Sequence, residues 1–303
     1  MRRQAGTFFL VALPATAAAG LFFWSGGAST EMSALMGAGV AVGLALAVAG
    51  FRELSRNTIT SLASLGNHRG YAILGAAPEL NDRILRELPP DKRSPLGCLA
   101  FQPASPFATA FRDLQSRLPD QSVIAFIGSF PDEGATTAAL CAGASATQQG
   151  RRVIVVDCDL RRRSLTRTFE SAPERGVLEA CQHPEAWRDY VEEEEETGVH
   201  FLPAARSTGN WSSLISAPGF RALLEELRAA YDVVILDCPP ALGSAEGPVV
   251  ARFSDKCVVV SAWDVTPLSA IRSTVRGLKG KTSTGVYVNR VPPGYRFGRL
   301  RPD

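Results

Sequence analysis

The sequence lacks any marked excess of charge of one sign. Over 303 residues, 32 Lys and Arg side chains stand against 30 Asp and Glu, which leaves a formal net charge of +2. Recruitment of nucleic acid by electrostatic attraction needs a concentrated basic surface. The composition therefore predicts no nucleic-acid partner.

The sequence also lacks the cysteine and histidine spacings of a zinc site. Its six cysteines are scattered, and no two of them form a C-x-x-C pair. Structural zinc sites need Cys and His ligands at short, regular spacings. We therefore predict reduced thiols in the core of a cytosolic domain.

Two long apolar runs, at 6–24 and 32–51, open the chain and contain no charged residue. Each is long enough to span a bilayer. Arg2 and Arg3 precede the first run and basic residues also follow the second, whereas the connecting loop, 25–31, has no Lys or Arg. The positive-inside rule then predicts a transmembrane helical hairpin at 1–51 in the inner membrane, with both termini and the main domain cytoplasmic.

A cleaved signal peptide is the alternative interpretation of the first run. The basic start, the apolar stretch and the small residues at 15–20 also resemble the parts of such a peptide. In that case the second run would still deliver the rest of the chain to the cytoplasm. The cytoplasmic part of the chain is the same under both interpretations.

The composition after residue 51 divides the chain into three parts. Prolines interrupt 52–104, which we predict to be a cytoplasmic tether that carries one short strand at 71–76. Over 105–291, apolar runs alternate with amphipathic segments, as is typical of strand-helix repeats. We predict an α/β domain there, with a mostly parallel sheet flanked by helices, followed by a short tail at 292–303.

The predicted elements of this domain alternate along the chain. The predicted strands are 123–128, 152–157, 199–202, 232–237, 257–262 and 285–289, and the predicted helices are 107–118, 136–149, 219–230 and 267–278.

A phosphate-binding loop follows the first predicted strand of the domain. Ser129-Phe-Pro-Asp-Glu-Gly-Ala-Thr-Thr137 lies between that strand and an alanine-rich helix, which is the context of a P-loop. Such a loop turns backbone N–H groups and a helix N-terminus toward an anion. It also carries a lysine after the last glycine, but this chain has Ala135 there. Alone, the string is equally compatible with a connection that binds nothing.

Three aspartates favour phosphate binding over a connection that binds nothing. Asp157 and Asp159 follow one predicted strand and Asp237 ends another, so that all three reach the carboxyl edge of the sheet, where ligands bind in open α/β folds. Together with the Thr136 hydroxyl they suit Mg²⁺, which prefers oxygen ligands and phosphate. We predict catalytic roles for the three aspartates and a metal site at Thr136, Asp157 and Asp237. The alternative is that the acids only cap strand ends.

These segments resemble the cytoplasmic domain of the bacterial tyrosine kinases of the polysaccharide co-polymerase family. The family's motifs read S-x-x-P-x-E-G-K-T-T, D-x-D-L-R-R-P and D-x-P-P, and the resemblance extends from about 71 to 291. It implies a P-loop NTPase-like fold with ATP or ADP and Mg²⁺ as cofactors. The residues that the resemblance and the loop pattern assign to nucleotide binding are Ser129, Pro131, Asp132, Glu133, Gly134, Thr136, Thr137, Arg161 and Arg162. Further matches are Leu160, Pro239 and Pro240.

The chain departs from the family pattern at four places. Ala135 removes the lysine, and the family's subunit-contact motif E-x-x-R-x-x-R is replaced by Thr109, Arg112 and Gln115, which leaves ring assembly open. Tyr295 is the single tyrosine after Asn289, where relatives carry an autophosphorylated cluster. Seven residues connect the two apolar runs, where many relatives carry a large periplasmic domain.

The resemblance and the departures together predict a membrane-anchored, kinase-like subunit, a pseudokinase, in exopolysaccharide or capsule biosynthesis and export. It would act in chain-length control or assembly through co-polymerase or export membrane proteins. One alternative is an active ATPase or protein tyrosine kinase in which an arginine of the run 161–163, or a partner, supplies the missing charge. Another is an ATPase of the partitioning and division-site type, although two integral spans argue against it.

Overall fold

The computed structural model describes residues 58–62, 65, 71–206, 218–278 and 282–295, together with 39, 42 and 43. The chain divides into two compact units, 1–57 and 58–303. The predicted hairpin lies outside the described residues except for Gly39, Val42 and Gly43. Among the residues that are described, no helix combines the length and the apolar character needed to cross a bilayer.

One eight-stranded sheet organises the second unit. Its spatial order is β1-β8-β7-β2-β6-β3-β5-β4, and every neighbouring pair is parallel except β4 with β5. The seven predicted strands are confirmed, each to within one or two residues at its ends. The strands are β1 Ala72–Pro78, β2 Ser122–Gly128, β3 Val153–Asp157, β4 Glu192–Glu193, β5 His200–Leu202, β6 Val233–Asp237, β7 Lys256–Ala262 and β8 Ser283–Val291.

Nine α-helices and two 3-10 segments occur within the described residues. The four predicted helices are confirmed, with ends that differ by up to three residues. The helices are α1 Asp82–Arg86, α2 Pro95–Phe101, α3 Pro106–Gln115, α4 Ala135–Thr147, α5 Ser164–Thr168, α6 Val177–Gln182, α7 Pro218–Ala230, α8 Glu246–Ala251 and α9 Leu268–Gly277, and the 3-10 segments are Pro90–Lys92 and Pro184–Tyr190.

Alternation along β2 explains why helices cover both faces of the sheet. Successive strand side chains point to opposite faces. Val123, Ala125 and Ile127 belong to one buried cluster, which includes residues of α6, α7, α8 and α9. Ile124 and Phe126 belong to the other, which includes residues of α2, α3, α4 and α5. A central parallel strand is therefore apolar where helices cover both of its faces, as β2 is over 123–127.

The stretch predicted as a tether contributes to this packed unit. β1 pairs in parallel with β8, and α2 buries Leu96, Cys98 and Leu99 beside α3 and α4. Pro95 does not break a helix here, because it occupies the first turn, where its missing N–H costs nothing. Residues from 58 onward thus belong to the compact unit, and the boundary expected near 105 lies inside it.

Candidate functional site

The predicted loop lines a pocket at the carboxyl edge of the sheet. The pocket has a volume of about 250 Å³ and lies where β2 passes through the loop into α4. The predicted residues that line it are Pro131, Asp132, Glu133, Gly134, Thr136, Thr137, Asp159 and Arg162. Ser129 is fully buried behind the pocket, where its hydroxyl accepts a hydrogen bond from Thr274 (2.8 Å).

The Glu133 carboxylate holds the loop in shape. Its Oε2 accepts hydrogen bonds from the N–H groups of Ser129 (2.5 Å) and Phe130 (3.0 Å), and its Oε1 accepts one from the Thr266 hydroxyl (2.5 Å). Burial raises the pKa of Glu133, and these three hydrogen bonds and the charge of Arg290 oppose that rise. Glu133 was predicted to bind nucleotide, but its carboxylate is directed to the loop's own backbone and to Thr266.

Gly134 allows the loop to enter α4. Its φ of 91° lies in the left-handed region, which favours glycine. An added Cβ would come within 2.0 Å of Nδ2 of Asn289, the side chain that donates to the Glu133 carbonyl (3.1 Å). No side chain caps α4. Because the first N–H groups of a helix have no partner within it, this N-terminus can bind an anion.

Two arginines line the pocket in the absence of the lysine. Ala135 is the first residue of α4 and lines the pocket itself. Arg162 contacts Asp132 (3.2 Å), and Arg290 extends from the end of β8. Arg161, also predicted to bind nucleotide, pairs instead with Glu246 (2.8 Å) and is not among the lining residues.

Sequence analysis missed Arg290. The signal that could have identified it is its position directly after Asn289, at the carboxyl end of the last predicted strand, where side chains reach ligands in this type of sheet. Its backbone has a φ of 60°, which is uncommon for a residue with a side chain. Its amide donates to the Asn289 side chain (3.0 Å).

The three aspartates converge as predicted, but their environments differ. Asp157 and Asp237 are paired in the register of β3 and β6. Oδ2 of Asp157 accepts from the hydroxyl (2.6 Å) and the N–H (3.0 Å) of Thr166, and Oδ1 accepts from the N–H of Asp159 (3.1 Å). Burial outweighs these bonds and raises the pKa of Asp157 to about 6. Its carboxylate fixes the turn into α5.

Asp237 is the unsatisfied member of the group. It is 1 % exposed, and neither carboxylate oxygen has a hydrogen-bond partner among the described residues. Burial, and then the nearby charge of Asp157, raise its pKa well above the ordinary value, while Thr136 lies close enough to oppose the rise. A buried, unpaired carboxylate is costly unless a cation or a proton compensates it.

This arrangement fits part of the predicted magnesium site. Within the described part of the chain, no three His, Cys, Asp or Glu side chains are grouped to hold a metal ion by themselves. Mg²⁺ usually keeps several waters and takes few protein ligands beside nucleotide phosphates. Thr136 and Asp237 remain suitable for that role, whereas both oxygens of Asp157 already accept hydrogen bonds.

The parallel sheet, the loop after β2 and the open N-terminus of α4 define a P-loop NTPase-like domain. The model of the AAA domain family, AAA_31, matches residues 122–281. The chain belongs to this family.

Sequence relatives include bacterial tyrosine kinases, which confirms the resemblance found in the motifs. EpsB of Ralstonia nicotianae, provisionally named a tyrosine-protein kinase, is 25% identical over 267 residues, which cover 81% of this chain and 36% of EpsB. The succinoglycan biosynthesis transport protein ExoP of Rhizobium meliloti is 26% identical over 199 residues, covering 62% of this chain and 25% of ExoP. The chain thus spans about a third or less of the length of these relatives.

Solved structures support the same fold. The kinase domain of the Escherichia coli tyrosine kinase ETK superposes with a TM-score of 0.67 at 20% identity, covering 77% of this chain and 95% of that domain. The BceF tyrosine kinase domain gives a TM-score of 0.64, also at 20% identity, and covers 77% of this chain and 100% of that domain. At such identities the likeness establishes the fold alone.

Proposed function

We propose that this chain is a kinase-like subunit of a bacterial exopolysaccharide or capsule assembly and export system, and that it binds nucleotide without efficient phosphoryl transfer. The kinship with tyrosine kinases and with a succinoglycan biosynthesis transport protein supports this assignment. In this proposal the domain acts in chain-length control or assembly by contacting partners, in the manner of a pseudokinase.

Ala135 is the observation that carries the proposal. It lines the pocket at the first position of α4, where the P-loop lysine would bridge the β- and γ-phosphates. Loss of one preorganised contact to the transition state typically costs ~3 to 4 kcal/mol, or ~10² to 10³ in rate. The rest of the loop keeps its hydrogen bonds, so nucleotide binding and phosphoryl transfer are separable here.

Nucleotide binding would use the open N-terminus of α4 together with Thr136 and Asp237. The first-turn N–H groups of α4 would hold a phosphate, and Thr136 and Asp237 would hold Mg²⁺ through oxygen. Mg²⁺ would neutralise phosphate charge in the bound nucleotide. The buried Asp237 carboxylate would then gain a compensating cation, which no described residue supplies.

Membrane anchoring and partners are part of the same proposal. The apolar runs at 6–24 and 32–51 would hold the domain at the inner membrane, facing the cytoplasm. A co-polymerase or export protein of that membrane would be the partner. Affinity purification of the full-length chain from membranes should recover such a protein reproducibly, and recovery of the chain alone would contradict the partner assignment.

An active ATPase or tyrosine kinase is the second candidate, because two arginines line the pocket. Arg162 and Arg290 could each bring a guanidinium to phosphate, and arginine binds phosphate through two parallel hydrogen bonds. Arg162 already pairs with the exposed Asp132 at 3.2 Å, so it is less suited to bind phosphate in place of the lysine. Arg290 has no carboxylate partner within 4 Å among the described residues.

The test is calorimetric titration of the full-length chain with Mg·ADP and Mg·ATP, combined with a turnover assay. Ala135→Lys restores the missing charge, and Ala172→Lys adds the same charge at an exposed position outside the pocket. We expect binding by the wild-type chain without measurable turnover, and turnover of at least ~10²-fold above background only in Ala135→Lys. Wild-type turnover that disappears in Arg290→Gln would establish the active enzyme instead.

A further inference from the structure

A second cavity lies at the opposite edge of the sheet from the P-loop. It has a volume of about 550 Å³ and forms where strands begin: Val153 opens β3, His200 opens β5 and Tyr231 precedes β6. Thr147, the last residue of α4, also lines it, whereas Ala135, the first residue of that helix, lines the P-loop pocket. The two cavities are therefore separate sites at opposite ends of α4.

Three arginines give the lining of this second cavity its positive charge. Arg151, Arg152, Arg188 and His200 line it, and no Asp or Glu is among its lining residues. Arg151 pairs with Asp120 outside the lining, and Arg152 donates from two of its nitrogens to the carboxylate of Asp232. Arg188 has no carboxylate within 4 Å in the described part of the chain. One positive charge is thus left uncompensated at the cavity.

Arg188 is held by packing and not by an ion pair. Its guanidinium carbon lies 4.3 Å from the centroid of the Trp187 ring, an arrangement that favours a cation over an aromatic face. Stacking in this way leaves the N–H groups at the edge of the guanidinium available for bidentate hydrogen bonds. Arg188 also lies near Tyr231, whose hydroxyl and Nδ1 of His200 are hydrogen bonded at 2.8 Å.

We propose that this cavity binds a small phosphorylated organic ligand, with the phosphate at Arg188 and the organic body against Tyr231 and the end of α7. The cavity is far larger than a phosphate group requires and falls within the usual range of ligand pockets, about 300 to 1,000 Å³. Ala229 and Ala230 of α7, with the Tyr231 ring, supply apolar contact surface. Arg152 would complete the phosphate site through the N–H groups that do not bond Asp232. His200 is already engaged, since its Nδ1 is hydrogen bonded to the Tyr231 hydroxyl and its Nε2 lies 3.8 Å from Glu193.

The proposal does not depend on nucleotide binding at the P-loop. It is tested by titrating the full-length chain with phenyl phosphate, with inorganic phosphate and with benzyl alcohol, by calorimetry and tryptophan fluorescence. We expect phenyl phosphate to bind more tightly than either of the other probes, and Arg188→Gln to weaken that binding at least tenfold. Arg175→Gln is the matched control, because Arg175 also stacks on an aromatic ring, 5.4 Å from the Tyr190 centroid, but does not line the cavity.

Further measurements of phenyl phosphate binding test where the ligand binds and whether it binds at all. Arg162→Gln, at the P-loop pocket, should leave phenyl phosphate binding unchanged, and an equal loss in that variant would place the ligand at the P-loop. Absence of binding up to about 10 mM, where the binding free energy falls below ~3 kcal/mol, would overturn the proposal. Equal affinity in Arg188→Gln and the wild-type chain would also overturn it.

Discussion

Replacing Asp237 by Asn should make the nucleotide-free protein more stable at neutral pH. Asp237 is 1 % exposed, and neither carboxylate oxygen has a hydrogen-bond partner among the described residues. A buried polar group without a partner costs about 1 to 3 kcal/mol, and an ionised one costs more. Since the amide of Asn is neutral but remains incompletely bonded, we expect a gain of about 1 to 2 kcal/mol in the free energy of unfolding.

The gain should depend on pH with a definite sign. Burial raises the pKa of Asp237 in the folded protein above its ordinary value of 3.8, so that the folded state binds this proton more tightly than the unfolded state does. The contribution of Asp237 to stability therefore falls as pH rises from about 4 through the folded pKa. Asn carries no such proton. The advantage of Asp237→Asn should be small near pH 4 and largest at neutral pH.

Urea unfolding of the full-length chain at pH 4.5 and pH 7.5 measures this difference. A higher midpoint with an unchanged slope would report greater stability, and the gain corresponds to a rise of about 2 to 8 °C in Tm. Asp189→Asn, at an exposed position, is the control and should change little. A loss of stability in Asp237→Asn at pH 7.5, or an equal gain at both pH values, would refute the reasoning. The same variant should lose Mg²⁺-dependent nucleotide affinity.

Two further predictions concern the loop. Glu133→Gln should lower the free energy of unfolding by about 1 to 3 kcal/mol, because it removes a charged acceptor from two backbone N–H groups; the urea midpoint measures this, and the exposed Glu226→Gln should leave it unchanged. Gly134→Ala should lower the free energy of unfolding more than Gly150→Ala does, although both glycines have positive φ. An added Cβ would contact Asn289 at position 134, whereas at position 150 it would meet no atom within 4 Å. Equal midpoints in the two alanine variants would contradict the contact.

The sheet was predictable because its central strands are buried on both faces. The strand Val233–Asp237 is an uninterrupted apolar run until its last residue, and such runs are visible in the sequence. Short helices were not predictable in the same way. Val177–Gln182 has six residues, too few for a helical period to be distinguished, and its helix depends on packing against neighbours. Prolines in the predicted tether, 52–104, were interpreted as interruptions, whereas Pro95 begins a helix.

The position of the site was predictable from the sequence, but the hydrogen-bond partners of each side chain were not. The motifs place Asp157 and Asp237 at one edge of the sheet, and the observed register pairs them directly. Only the three-dimensional structure shows that Thr166, nine residues beyond Asp157, bonds to that carboxylate, while the oxygens of Asp237 have no hydrogen-bond partner among the described residues. Arg290 was missed although its position at the carboxyl end of the last predicted strand places it at the same edge of the sheet, because it belongs to no recognised motif.

The loop is held by hydrogen bonds from its own Glu133 and from elements distant in the chain, and none of these bonds involves the side chain of Ala135, which packs half-buried against the cluster of α3 and α4. The Glu133 side chain bonds back to Ser129 and Phe130 and across to Thr266, which follows β7, while Asn289 of β8 holds the Glu133 carbonyl. Loss of a lysine at Ala135 therefore removes a charge from the pocket without removing a support of the loop. It follows that Ala135→Lys should change nucleotide affinity or turnover while the urea midpoint of the nucleotide-free protein stays within about 0.5 kcal/mol of wild type. A large shift in that midpoint would show that position 135 does support the loop. It would also contradict the inference that the lysine can be lost without affecting nucleotide binding.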